Sequence, residues 1–366
     1  MRIFHLISTN GVYGAERALL NLLPSLQNLG AEVSLGCLCT FDSAGLELGE
    51  ELQQLGIPVI FINNNRKFDF GVLWAIYSAM KQTRADVLHV HGYKATILGG
   101  LVANLMQIPL ISTYHGEAKT RTELSTYLKI ETYFIRRAFR IIAVSAPIRK
   151  ELITRGVSKQ KISVIYNGIA DPLKIHRKIS SSHGSHFSPH ILSVGRLIQM
   201  KRYDLIIDTM KLLKTEFPNI GLSIAGNGPL EARLKEYTSK SGLDSHVKFL
   251  GYVKDTTQLY NTADIFVLSS NTEGSPIVLL EAMAASLPII TTSVGAIPEI
   301  VRNRKEAIII PPNNLQILAH SVRHLILRPN YSKELGYAAR QHFLRHYTAE
   351  IMAKSYLQNY KMIPNN

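Results

Sequence analysis

Two glutamates with seven residues between them, Glu273 and Glu281, are the side chains of this 366-residue chain best placed to do chemistry. The first opens the run Glu273-Gly274-Ser275-Pro276-Ile277, whose Gly, Ser and Pro read as a loop; the second falls inside the apolar helix that follows. A loop entering a helix offers unpaired backbone N–H groups and the positive end of the helix dipole, which suit a diphosphate. A carboxylate one to two turns further in can accept hydrogen bonds from both hydroxyls of a ribose. Glu281 is followed by Ala282-Met283-Ala284-Ala285, so it sits on a helix that is otherwise buried, where a carboxylate needs a partner.

Four more groups of residues fall where a strand would hand its chain to a loop. Ser193-Val194-Gly195-Arg196 runs on to Lys201, putting two cations five residues apart after a glycine. A leaving diphosphate needs fixed positive charge, from the fork of an Arg and the point charge of a Lys. Ala225-Gly226-Asn227-Gly228-Pro229-Leu230 repeats the strand, Gly loop and helix pattern, a weak signal alone. Asn10-Gly11-Val12-Tyr13-Gly14-Ala15-Glu16-Arg17 does so near the N-terminus, where glycine lets the backbone approach a phosphate or sugar. It is not the G-x-G-x-x-G of dinucleotide sites. Finally, His115 ends the apolar strand pattern of Leu110-Ile111 and precedes Gly116.

The elements that must position these residues alternate along the chain. Strands are expected at 3–8, 32–38, 59–62, 87–90, 110–113 and 141–144, with a helix at 15–29 and helical patterns between most of the others. A Ser/His-rich stretch around 171–190 reads as a linker, its histidines matching no familiar metal-ligand spacing. The alternation restarts with strands at 191–194, 221–225, 247–250, 265–268, 289–292 and 307–310 and helices at 203–216, 230–239, 256–261, 278–285 and 314–327. A last helix over 349–361 could return to the first half. The chain thus reads as α/β, with two Rossmann-like doubly wound domains, 1–170 and 191–345, and a cleft at the C-terminal ends of their strands. The tail 349–366 is expected to pack on the first domain.

Composition narrows the class. At 46% hydrophobic and 19% charged, the chain is expected to be soluble, and no apolar run approaches the roughly 20 residues that span a bilayer. With no secretory signal at the N-terminus, the expected location is the cytoplasm. Cys37 and Cys39 would share one face of a strand, too close for an ordinary disulfide, and read as reduced thiols. The formal net charge of +14 favours an acidic partner. Residues 119–161 hold eleven Lys/Arg against three acids. Without a nucleic-acid motif, an anionic membrane surface fits that stretch better than nucleic acid.

Taken in order, Gly14-Ala15-Glu16-Arg17, His115-Gly116, Ile165-Tyr166-Asn167-Gly168-Ile169, Val194-Gly195-Arg196-Leu197, Lys201, Gly226-Asn227-Gly228-Pro229-Leu230 and Glu273…Glu281 resemble the family 4 (group 1) retaining glycosyltransferases of the GT-B fold. The resemblance covers nearly the whole chain. It implies that Arg196 and Lys201 bind the donor diphosphate, that Glu281 holds the ribose, and that Glu273 contacts hydroxyls of the transferred sugar. It further implies that His115 lies beside the anomeric centre, that the Gly14 loop closes on the donor, and that Tyr252 and Val253 face the base. Gly195, Gly226, Asn227, Gly228, Gly274, Ser275, Pro276 and Ile277 would complete the donor site. Tyr13 departs from the adjacent glycines of many relatives, which bears on the contact made by that loop.

The resemblance implies retention of anomeric configuration by same-face attack, with no metal and no cofactor, the nucleotide sugar being a substrate. UDP is taken as the nucleotide because it is the commoner donor in such enzymes; GDP stays open. The expected acceptor is lipid-linked or a growing polysaccharide, as in surface polysaccharide or lipopolysaccharide assembly. A sugar-nucleotide epimerase of the same architecture and a non-catalytic nucleotide-sugar-binding protein are the alternatives. The first would turn over donor without acceptor, and the second would have lost at least one of the five polar residues.

Overall fold

The computed structural model describes residues 1–9, 11–40, 43–64, 70–116, 125–172 and 187–364. They divide into two compact units, Met1–Ala170 with Ala349–Asn366, and Asp171–Thr348. Each is a parallel sheet layered by helices.

The first unit holds β1 (Arg2–Ser8), β2 (Glu32–Cys39), β3 (Val59–Asn63), β4 (Val87–His91), β5 (Leu110–Tyr114), β6 (Arg140–Ala143) and β7 (Ile162–Val164) in the order β3-β2-β1-β4-β5-β6-β7. All pairings are parallel, with Ile3 opposite both Val33 and Val87. β1, β4 and β5 are mostly or wholly buried, as two-sided helix cover demands. Strand order reverses between β1 and β4. The helix Ala349–Tyr360 belongs here: Met352, Ala353, Tyr356 and Tyr360 pack with Leu19, Leu23, Ile111 and Ile142 in one core. Cys37 and Cys39 are buried in that core and not joined in a disulfide.

The second unit holds β8 (His190–Val194), β9 (Gly221–Ala225), β10 (Val247–Gly251), β11 (Ile265–Leu268), β12 (Ile289–Thr292) and β13 (Ile308–Ile310), ordered β10-β9-β8-β11-β12-β13, again all parallel. Its reversal falls between β8 and β11.

Most boundaries sit within one to three residues of the sequence expectation; three elements go beyond it. β7 is too short for a periodic signal, and Ile297–Ile300 is a single helical turn. The helix Pro329–His346 escaped because its core contacts are confined to Ser332, Leu335, Gly336, Ala339 and Phe343 among many polar residues. Gly336 lets it approach the backbone of Ser286, whose carbonyl oxygen would stand 2.1 Å from a Cβ there. His190 opens a strand, bonded to Ser223 Oγ at 2.8 Å, rather than closing a linker. The rest of the Ser/His-rich stretch, 173–186, lies outside the described residues, as do Asn10 and 119–124 of the basic stretch.

Much of the described basic stretch is engaged locally. Arg136 donates to the carbonyl of Arg155, and Lys161 Nζ to those of Arg136 and Ala138. Arg155 pairs with Glu151 at 2.8 Å and with buried Glu131 at 3.6 Å. These cations satisfy exposed carbonyls and one buried carboxylate. Among the described residues, no helix is long and apolar enough to cross a membrane.

Candidate active site

In the second unit, the chain leaves β8 at Gly195, passes exposed Arg196 and forms a single 3₁₀ turn over Gln199–Lys201. That turn is tied to the end of β11. Ser269 Oγ donates to the carbonyls of Lys201 (2.8 Å) and Arg202 (2.9 Å), and the Asn271 N–H donates to that of Met200 (2.8 Å). The result is an ion pair between residues 72 apart in sequence: Lys201 Nζ lies 2.6 Å from Glu273 Oε1. Ser270 Oγ donates to the same oxygen at 2.5 Å. Only 18% of the Lys201 side chain and 8% of the Glu273 side chain are exposed, so each is the other's main counter-charge.

The three glycines of the two neighbouring loops interlock. A Cβ on Gly226 would stand 2.0 Å from the carbonyl oxygen of Gly195, and one on Gly228 2.5 Å from that of Leu197. Their φ angles, +134° and +159°, also favour glycine. The Leu197 N–H donates to the carbonyl of Asn227 at 2.8 Å, and the Gly226 N–H to that of Gly251 at 2.7 Å. These glycines therefore have a packing reason to be glycine, apart from any ligand. Beyond Gly251, Tyr252 is exposed and Val253 half-buried.

Gly274, Ser275 and Pro276 lead into the helix Ile277–Ala284, with Pro276 as its extended N-cap. The loop packs against Gly295, where a Cβ would stand 1.7 Å from the carbonyl oxygen of Glu273. The helix is buried at Ile277, Leu279, Leu280, Ala282, Met283 and Ala284. Glu281, half-buried at its fifth position, accepts from Tyr260 Oη at 2.8 Å. Arg340 braces the helix end: it donates to the Ala284 carbonyl at 2.7 Å and makes a two-pronged pair with Asp171 at 2.7 and 2.8 Å.

The other two predicted positions belong to the first unit. Gly14 begins the helix Gly14–Asn28 with open space around its Cβ position. The preceding turn is set by Thr9 Oγ1, which donates to the Gly11 carbonyl at 2.6 Å. Glu16 accepts from the Tyr13 N–H at 3.1 Å, so this carboxylate caps the helix start. His115 follows β5, with its Nε2 buried and without a hydrogen-bond partner among the described residues. Burial lowers its pKa from 6.5 to about 4, which keeps the ring neutral.

Sequence reasoning thus found residues that the fold brings together in Lys201 and Glu273, and a carboxylate on a buried helix in Glu281. It missed Ser270, Tyr203, Tyr260 and Arg340. Tyr203 is buried below Gly195, 3.1 Å from a Cβ there, its hydroxyl pKa raised by burial and then by the charge of Glu273. Only its place two residues after Lys201 hinted at a role. A surface hollow of about 370 Å³ involves Ile198, Gln199, Tyr203, Leu230 and Arg233 but neither glutamate.

One cluster could be read as a metal centre: nitrogens of buried His5, His89 and His91 all lie within 4.8 Å of one another. Both nitrogens of His89 and one each of His5 and His91 are already engaged. His5 Nδ1 meets His91 Nε2 at 3.0 Å, and His89 bonds Tyr360 Oη at 2.6 Å and Thr113 Oγ1 at 2.8 Å. An ion shared by all three would have to break a bond of His89, to Tyr360 or to Thr113.

Set beside known proteins, this architecture has close counterparts. The structure of Anabaena Alr3699/HepE in complex with UDP and glucose superposes with a TM-score of 0.85 at 20% identity, over 99% of this chain and all of that one. The fold is therefore GT-B, the two-domain class of glycosyltransferases. The model for Glycosyltransferase Family 4 matches residues 12–171 and that for Glycosyl transferases group 1 matches residues 177–342. The chain belongs to the family 4, group 1 glycosyltransferases. Similar relatives include the UDP-Gal:alpha-D-GlcNAc-diphosphoundecaprenol alpha-1,3-galactosyltransferase of Escherichia coli, 26% identical over 82% of each chain. The amylovoran biosynthesis glycosyltransferase AmsK of Erwinia amylovora is 30% identical over 68% of this chain and 63% of its own.

Proposed function

We propose that this glycosyltransferase moves a hexosyl unit from a UDP-sugar to a lipid-linked or polysaccharide acceptor in surface polysaccharide synthesis, with retention of anomeric configuration and without a metal. The observation that carries the reading is the half-buried Lys201–Glu273 pair at the ends of two strand loops, beside the buried helix that carries Glu281. In this reading the donor diphosphate draws Lys201 toward its oxygens, with Arg196 as second cation, and Glu273 accepts from sugar hydroxyls. Glu281, oriented by Tyr260, accepts from the ribose hydroxyls. Gly195, Gly226, Asn227, Gly228, Gly274, Ser275, Pro276 and Ile277 shape the phosphate side, Tyr252 and Val253 the base side, and Gly14 and His115 act from the first unit. The acceptor oxygen bonds to the anomeric carbon on the face that the diphosphate oxygen leaves, and the acceptor proton passes to that oxygen. Positioning and charge stabilisation then supply the acceleration.

A UDP-sugar donor and a lipid diphosphate acceptor are supported by the substrates in the name of the E. coli relative. The anionic membrane surface gains support from exposed Trp74, Leu101, Leu105, Ile130 and Tyr133 on the helices Phe70–Gln82, Tyr93–Met106 and Ser125–Arg137. Arg137 lies 3.7 Å over the Tyr133 ring. Aromatic and aliphatic side chains flanked by cations suit a lipid interface. Binding to anionic vesicles that weakens with salt is expected; vesicle binding indifferent to both charge and salt would count against it. The reaction is tested with Lys201→Ala, expected to lower kcat more than it raises KM for the donor. Near-normal turnover in that variant would remove Lys201 from the mechanism.

A further inference from the structure

Within the first unit, His5, His89, His91 and His115 form a buried cluster of imidazoles. His5 and His89 are opposite each other on β1 and β4, His91 is two residues along β4, and His115 follows β5. The cluster is closed by Tyr356 and Tyr360 of the C-terminal helix: His89 bonds Tyr360 and Thr113, and Thr113 bonds Tyr356. His89 therefore has both ring nitrogens satisfied.

His5 and His91 do not. Their Nδ1···Nε2 contact of 3.0 Å, with ring planes 18° apart and centroids 5.3 Å apart, is a head-to-head N–H···N hydrogen bond. Burial lowers the pKa of His5 to about 3 and that of His91 well below 6.5, so both rings are neutral and share two protons. One proton lies in the bond; the other must sit on an outer nitrogen. Both outer nitrogens, His5 Nε2 and His91 Nδ1, are buried without a partner among the described residues. The neighbouring His115 ring, 5.9 Å away by centroid, also has its Nε2 buried and unpartnered. Buried polar groups left open are costly, and two apolar residues at 5 and 91 would carry none of that cost.

We propose that His91 is a positioning residue for His115, its Nδ1 joined to His115 Nε2 through one bridging water, with His5 fixing which nitrogen of His91 carries the proton. The three rings then form a chain whose tautomers are set together: the proton of each bond decides the next, and the Nδ1 of His115 is left with one defined role toward a sugar oxygen. The inference rests on the reading that His115 meets the transferred sugar. It assigns to His5 and His91 a part in the reaction although neither touches substrate.

The test is ¹H–¹⁵N spectroscopy on the full-length protein labelled in histidine, with turnover measured alongside. The expected wild-type result is one His115 tautomer with Nε2 hydrogen-bonded. In His91→Phe, His115 should average between tautomers and kcat should fall by about tenfold, the loss expected from one hydrogen bond, with KM for UDP-sugar unchanged. His91→Gln, which keeps a hydrogen-bonding group, should recover part of that loss. Averaged tautomers of His115 in the wild-type protein, or an unaltered His115 spectrum in folded His91→Phe, would overturn the proposal. Should His91→Phe not fold, the wild-type spectrum and His5→Phe, expected to release the His91 tautomer, decide the matter. Full turnover in His115→Ala would instead remove the sugar contact of His115 while leaving the wild-type spectrum intact, so the two failures are distinct.

Discussion

Lys201 and Glu273 neutralise each other in the unliganded protein, so replacing one exposes the other. Lys201→Ala leaves a mostly buried carboxylate unpaired and should cost roughly 3 kcal/mol of stability besides its effect on turnover. The Lys201→Met/Glu273→Leu double variant should be more stable than the sum of the single losses predicts and remain inactive. Denaturant unfolding with donor turnover on the four proteins of the cycle checks this; additive stability losses would mean the pair is not coupled. Glu281→Ala should act differently, raising KM for the donor with a smaller change in kcat, because its proposed partner is the ribose in ground state and transition state alike. These residues were legible because each sits in a short local pattern of strand end, glycine and polar side chain. Ser270 and Tyr260 were not, since a serine hydroxyl or a tyrosine 21 residues from its carboxylate partner becomes meaningful only when the chain folds.

Elements, more than side chains, hold this site in place. The loops after β8 and β9 touch backbone to backbone at Gly195 and Gly226, so Gly226→Ala should destabilise the second unit by several kcal/mol through both the clash and the positive φ. Urea unfolding measures it; an unchanged midpoint would show that the loops can part. Arg340 joins the end of the Glu281 helix to Asp171, with 11% and 5% of the two side chains exposed, and Arg340→Ala should cost roughly 3 kcal/mol by removing the two-pronged ion pair of a buried carboxylate. The helix that carries Arg340 escaped the sequence pattern because its buried stripe is narrow, Leu335, Ala339 and Phe343 beside the small Ser332 and Gly336, among many polar residues. In the first unit the buried histidines make the fold sensitive to acid. Their folded pKa values are depressed, to about 3 for His5 and about 4 for His115, against 6.5 when free. The unfolded chain therefore binds more protons below pH 6.5, and stability falls as pH drops from about 6.5 toward 4. Each histidine protonated only in the unfolded state contributes about 1.4 kcal/mol per pH unit, and His5→Phe should flatten that slope in thermal unfolding.

At the scale of the molecule, two parallel sheets could be read in advance because two-sided burial writes each strand as a short apolar run between helical patterns. The basic stretch was the less faithful guide. Several of its cations close carbonyls or pair with Glu131 and Glu151, so the sum of charges overstated what is free for a partner. What composition did not reveal is the company those charges keep, the exposed Trp74, Leu105 and Tyr133 on neighbouring helices. A nucleotide-sugar site built on Lys201, Glu273 and Glu281 makes one measurement decisive: thermal unfolding of the wild-type protein and Glu281→Ala with UDP, GDP, ADP, CMP and NAD. A ligand at 100 times its dissociation constant adds about 2.7 kcal/mol, a shift large enough to measure. UDP should stabilise the protein above the others, and that stabilisation should be lost in Glu281→Ala; stabilisation by NAD alone, or an equal UDP shift in both proteins, would rule this site out.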